Sequence, residues 1–154
     1  MTKDEFIAEL KNFHTHHDNR LKVIEHAIKG IVKNNGVCVK LYDCPIHQWL
    51  EKREKLLYKI YGQESMKTLS ARHEEWHDES EKVCELASMK AETKKGILGK
   101  VFGKKNHKMH EGEYDVAMAY LSSLKELTET IDSTFVRMTK RANALQNEIF
   151  EEVE

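Results

Sequence analysis

A chain of 154 residues with formal net charge -1 and 33% charged residues is long enough for one domain with a sizeable core, and feels no global electrostatic pull toward nucleic acid or membrane. One proline and seven glycines give too little punctuation for many short strands, so long helices are expected. No run of 18 apolar residues exists, the N-terminal MTKDEFIAEL lacks the apolar stretch of a secretory signal, and the three cysteines lack disulfide-framework spacing; a cytoplasmic protein without a membrane span is expected.

The first helix is predicted from Thr2 or Lys3 to about Lys33. Its stripe is Phe6, Leu10, Phe13, His17, Leu21, Ile24, Ile28 and Ile31, in the steps of three and four that put residues on one helix face. His17 holds a slot where a leucine is expected. Asn34, Asn35 and Gly36 stop this helix. Val37 to Tyr42, with Cys38, forms an apolar connector. A second helix starts at Cys44-Pro45, with Asp43 or Cys44 as N-cap and proline favoured in the first turn. It buries Trp49, Leu50, Leu56, Leu57 and Ile60.

A turn from Gly62 to Ser65 leads into a third helix, predicted from about Ser65 to Lys90. Its stripe is Met66, Leu69, His73, Trp76, Ser80, Val83 and Ala87, with His77 and Cys84 on the adjoining row. Residues 90–112 carry seven lysines and interspersed glycines and read as a basic insertion or short hairpin. The fourth helix is predicted from about Glu111 to beyond Phe150. Its stripe is Tyr114, Ala117, Leu121, Leu124, Thr128, Ile131, Phe135, Met138, Ala142, Leu145 and Ile149. Roughly 40 residues would span about 60 Å, so the end from residue 140 on overhangs the shorter helices. It must pack on the first helix, on a second copy or on another partner. The expected fold is all-α, an antiparallel four-helix bundle in a single domain over 1–154.

Two histidines four apart on a helix, His73 and His77, present two imidazoles one turn from each other. Cys44 adds a thiolate at a helix start and His17 a third imidazole. Three nitrogens and one sulfur suit zinc better than magnesium, calcium or an oxygen-rich iron site. The helix dipole at Cys44 is expected to lower its thiol pKa, making it both ligand and redox-reactive group. Asp18, Asp43 and Asp78 are candidate supports for the imidazoles. Four protein ligands leave no open position for water, so no catalysis is expected. A histidine on an apolar stripe is also commonly a hydrogen-bonded core residue, and Cys38 and Cys84 read as small buried hydrophobes rather than redox partners.

The order of these segments resembles the chemoreceptor zinc-binding (CZB) family of bacterial cytoplasmic chemoreceptors and some diguanylate cyclases. That family has a first-helix histidine, a C-x-φ-G-x-W-like segment and an H-x-x-x-H pair. Here His17 lies 27 positions before Cys44, the second segment is matched by Cys44, Ile46 and Trp49, and His73 and His77 begin 24 positions after Trp49. The similarity covers about residues 5 to 90. His47 stands where the family has glycine, Arg20 where an aromatic residue is usual, and His16 where an acidic one is. His14, one turn from His17, is an alternative ligand whose spacing to Leu21 and Cys44 fits less well. The resemblance implies one Zn2+ per chain in a cytoplasmic, homodimeric sensory or regulatory domain. Members bias receptor output or inhibit a linked cyclase, and some sense oxidants such as hypochlorous acid through the zinc-bound cysteine. No cyclase, kinase or receptor signalling segment is recognisable here. For a full-length chain, the resemblance then implies a partner in trans: a chemoreceptor, a diguanylate cyclase or another signalling protein.

Two rival readings differ in class. A hemerythrin-like di-iron protein would need about five histidines and two carboxylates from all four helices, yet no histidine follows Tyr114. A metal-free helical interaction or adaptor bundle fits the seam of the fourth helix but leaves inward histidines unexplained. The KKGILGKVFGKK segment has membrane-surface character, but its three glycines weaken a helix, and no membrane contact is expected.

Overall fold

The computed structural model describes residues 1–29, 38–92 and 111–151, and within them it is all-helical, with no strand. The predicted 90–112 insertion lies almost entirely outside the described residues. The helices are α1 (Lys3–Phe13), α2 (His16–Ile28), α3 (Pro45–Lys52), α4 (Glu54–Tyr61), α5 (Gln63–Glu92), α6 (Glu111–Ala144) and α7 (Glu148–Glu151). None of the described helices is long and apolar enough to cross a membrane.

The predicted first helix is two helices. A capping box opens α1: Thr2 N–H donates to Glu5 Oε2 at 2.8 Å, and Glu5 N–H donates to Thr2 Oγ1 at 3.2 Å, satisfying end donors from both sides. The chain then breaks at His14–Thr15, where Thr15 adopts φ -111° and ψ 8°. Threonine and histidine are weak helix formers, and the break falls at the start of a run of four of them, His14 to His17. The break does not disturb the stripe, because Phe6, Leu10, His17, Leu21, Ile24 and Ile28 are all buried.

The predicted second helix is also broken, at Arg53, with φ -106° and ψ 10°. Continuing the 3–4 spacing from Leu50 would drive Arg53 or Glu54 into the core. The break resets the face so that Leu56, Leu57 and Ile60 are buried. Arg53 instead reaches Glu9 at 3.3 Å, and the same carboxylate accepts from Trp49 Nε1 at 2.6 Å. Gly62, the only residue with positive φ among those described (84°), ends α4. With ψ 149° this backbone belongs essentially to glycine, and α5 starts at once at Gln63, two residues before the predicted start.

The 34 residues of α6 extend about 50 Å and pack against α1, α2 and α5, while α4 and α3 pack on α5. Pairings run in opposite senses along these helices. Tyr61 donates to the Met138 carbonyl, Trp76 to Thr128, and Lys82 sits over Tyr120. On the other side Lys3 meets Asn143, Phe13 meets Phe135 and Lys125 meets Glu25.

The C-terminal end corrects the prediction of one helix running past Phe150. The helix stops after Ala144, and α7 restarts at Glu148. Lys3 Nζ donates to the carbonyls of Asn143 (2.8 Å) and Leu145 (2.6 Å), supplying a cation where the helix end is partially negative. The restart buries Phe150, whose ring lies 5.3 Å from Phe6, rather than Ile149. Of the three packing options for this end, the chain uses its own first helix. Tyr114, predicted in the seam, is exposed.

Candidate metal centre

The break at His14–Thr15 starts α2 just before His17, placing that ring in the core. Cys44 is the N-cap of α3, with Pro45 in the first turn. His73 and His77 are one turn apart on α5. The four donors come together: one ligand atom from each of His17, Cys44, His73 and His77 lies within 4.8 Å of every other. His17, His73 and Cys44 are each 1% exposed and His77 is 5% exposed. His14 is not in the group. It caps the end of α1 and contributes to the electrostatic environment of Asp132 on α6.

The ring orientations define which nitrogens face inward. Cys44 Sγ lies 3.4 Å from His73 Nε2 and 4.0 Å from His17 Nε2. His77 Nδ1 is 2.9 Å from the Val39 carbonyl oxygen. A carbonyl only accepts, so the His77 proton sits on Nδ1 and Nε2 carries the lone pair. That Nε2 is buried with no hydrogen-bond partner. A buried lone pair with no donor is costly in protein, and a cation resolves it. Zinc at about 2.0 Å from nitrogen and about 2.3 Å from sulfur requires edges of about 3.3–3.6 Å between donors. The edge from sulfur to His73 lies inside that range and the edge to His17 is about 0.4 Å longer, so the four donors are close enough together to hold a metal ion.

Burial sets the protonation states. It pushes the His17 pKa from 6.5 down to about 2, with His73 and His77 adding to the effect. It pushes His73 down to about 3, helped by His77 and His47. His77 is also lowered by burial, against the opposing pull of its bond to Val39. All three rings are therefore neutral, as ligands must be. The expected lowering at Cys44 is reversed: burial raises its pKa, and the opposing amide N–H groups of His47 and Ile46 are too weak to win. The helix start does aim donors at the sulfur, but removing a thiolate from water costs more. A metal must therefore displace a proton from Cys44.

A pH prediction follows for metal-free protein. A histidine near pKa 6.5 when unfolded but far lower when folded stabilises fully above pH 6.5, and that stabilisation is lost as pH falls toward 3. Half-buried Asp132, raised to about 6 by burial, works the other way below pH 6. Two histidines outweigh one carboxyl, and the net loss is about 1–2 kcal/mol per pH unit between pH 6 and 5. Urea unfolding at stepped pH in chelator measures it.

Of the three candidate aspartates, Asp78 acts on His77 through its charge, the weakest of the influences on that ring. Asp18 pairs with Lys22 at 2.6 Å, and the support on His77 is the Val39 carbonyl, which no side-chain pattern announces. A crevice of about 10 Å³ reaches the site, its walls including Arg20, Cys38, Cys44 and His77; this is room for one water-sized molecule. Trp76 closes the far wall, 4.4 Å from the His17 ring, and donates to Thr128 Oγ1 at 2.8 Å. His47 lies 6.2 Å from the His73 ring, nearly parallel to it.

A second correction concerns the other cysteines. Cys38 and Cys84, expected to be separate buried hydrophobes, are joined as a disulfide with Cα atoms 6.3 Å apart. The signal available in sequence was only that Cys84 lies seven residues beyond His77, on the same helix side. No family model, curated protein or solved structure matches the chain.

Proposed function

We propose that this chain is a zinc-binding sensory or regulatory domain, built as an antiparallel four-helix bundle of the CZB kind. In this arrangement the α1–α2 and α3–α4 pairs each count as one broken helix beside α5 and α6. The observation that carries the reading is the buried convergence of His17, Cys44, His73 and His77, with a lone pair on His77 that no protein group satisfies. The resemblance of the three motif segments in order adds the family.

Zinc, when bound, would hold Cys44 as a thiolate and tie α2, the start of α3 and α5 together. The chain's own part is to keep three imidazoles neutral, fix the His77 tautomer through Val39 and exclude bulk water. Loss of the sulfur donor, by oxidation of Cys44 to sulfenic acid with a peroxide or hypohalous acid, would free the N-terminus of α3. The signal read in this way is zinc, an oxidant, or both. Four protein donors would leave no open coordination position for a reacting water, so the proposed role is not enzymatic. The domain acts as a cytoplasmic homodimer on a chemoreceptor, a diguanylate cyclase or another signalling protein.

Elemental analysis of purified protein tests the metal directly. The expected result is about one zinc per chain, lost in His73→Ala and Cys44→Ser. Iron at about two per chain would favour the di-iron class, although the four clustered donors include no carboxylate. No metal after zinc is offered would leave the interaction bundle.

A further inference from the structure

We propose that Cys38 and Cys84 form a second, reversible redox site, a dithiol–disulfide pair that sets how firmly His77 is held. The existence of the pair is independent of the zinc reading, and its effect on His77 rests on that reading. The residues are arranged along one side of α5. His77, Ser80 and Cys84 succeed one another at steps of three and four, which keeps them on one face. The segment at Cys38–Val39 lies against that face with two links. One is covalent, Cys38 to Cys84, with a Cα separation of 6.3 Å inside the range a disulfide spans without backbone movement. The other is the Val39 carbonyl, accepting from His77 Nδ1 at 2.9 Å. Adjacent residues thus carry the disulfide and the support of a candidate ligand.

Three features favour a switch over a permanent staple. Cys38 and Cys84 are only partly buried, so a small thiol or disulfide reaches them, whereas Cys44 is enclosed. The reduced state has a home as well. Cys38 Sγ lies 3.5 Å from the Ser80 carbonyl oxygen, an acceptor waiting for its S–H. Cys38 also lines the crevice that leads to Cys44 and His77, so a change at Cys38 is felt at the candidate metal centre.

The chemistry is thiol–disulfide exchange with a low-molecular-weight disulfide, RSSR. One protein thiolate attacks RSSR, forming a mixed disulfide and releasing one RSH once the leaving thiolate takes up a proton. The second thiolate attacks the mixed disulfide, closing Cys38–Cys84 and releasing a second RSH. The protein loses two electrons and two protons and RSSR gains them; excess RSH runs both steps backward. Opening the disulfide removes the covalent link beside Val39 and loosens its carbonyl from His77. Groups that orient a ligating histidine typically carry 10- to 100-fold in metal affinity; the expected change is a roughly tenfold weaker zinc affinity in the reduced form.

The full-length chain is equilibrated in graded reduced and oxidised glutathione, trapped by alkylation and mapped by mass spectrometry. Zinc affinity is measured in each state by competition with a chromophoric chelator. The expected result is a Cys38–Cys84 peptide linkage that forms and reverses within the glutathione range, Cys44 alkylated after denaturation throughout, and tenfold tighter zinc in the oxidised form. In Cys38→Ser/Cys84→Ser, zinc affinity should not respond to the buffer. Absence of the linkage in fully oxidised buffer, or its persistence in excess reduced glutathione, overturns the redox site whether or not zinc binds. Equal zinc affinity in both states overturns the coupling to His77. A reversible linkage in a chain that takes no zinc in either state overturns the metal-centre reading and the coupling, and upholds the dithiol pair.

Discussion

Zinc added to chelator-treated protein is expected to raise its melting temperature by roughly 10 °C, and Cys44→Ser is expected to abolish most of that rise. The four donors come from α2, the start of α3 and α5, three segments that are far apart in sequence and meet only in the folded chain. A ligand that binds the native state and not the unfolded one adds about 4 kcal/mol of stability at a thousandfold excess over its Kd. For a chain of this size each kcal/mol moves the midpoint by about 2–4 °C. Structural zinc sites are worth about 10–16 kcal/mol in small peptides. Removing one donor in four therefore costs on the order of 3 kcal/mol, or a 100-fold loss of affinity. Serine keeps the size of the N-cap side chain, so the metal-free variant should melt close to the metal-free parent. A zinc-induced rise of equal size in Cys44→Ser would remove the sulfur from the site.

The helical class and the stripe histidines were legible because burial leaves a periodic trace, whereas His77 was read from its four-residue spacing to His73 and Cys44 from its place at a helix start. His17 and His73 occupy stripe positions otherwise filled by leucine, methionine and phenylalanine, and both are buried there. Breaks were not legible for the same reason. The stripe through Phe6, Leu10, His17 and Leu21 keeps its spacing across His14–Thr15, so periodicity alone counts one helix where there are two. At Arg53 a warning existed, the six-residue gap from Leu50 to Leu56, which an unbroken helix cannot bury on one side. At the C-terminus the step from Ala142 to Phe150 is eight residues, and only contact with Phe6 selects Phe150 over Ile149. The Cys38–Cys84 pair is separated by 46 residues, and nothing local in sequence encodes so distant a meeting. The direction of the Cys44 pKa shift is a contest between helix-start donors, visible in sequence, and desolvation, visible only in three dimensions.

His17→Leu separates a metal ligand from an ordinary core histidine by the sign of its effect. A core histidine held by hydrogen bonds stabilises its fold, and its replacement by leucine lowers the melting temperature. His17 is weakly held: Nδ1 is buried without a partner, and Nε2 has one long contact, to Cys44 Sγ at 4.0 Å, beside the His73 and His77 donors. A buried polar atom left unsatisfied costs about 1–3 kcal/mol. Leucine has a similar volume, continues the stripe between Leu10 and Leu21, and would pack on Trp76, whose ring now lies 4.4 Å from the imidazole. In chelator the variant should therefore melt several degrees above the parent, while added zinc should move it little. A natural chain that keeps a less stable residue in a leucine slot is selected for something other than stability. A lower melting temperature for His17→Leu in chelator would mean that the imidazole already stabilises the metal-free core, and the neighbouring His73 would then be the histidine on which to repeat the comparison.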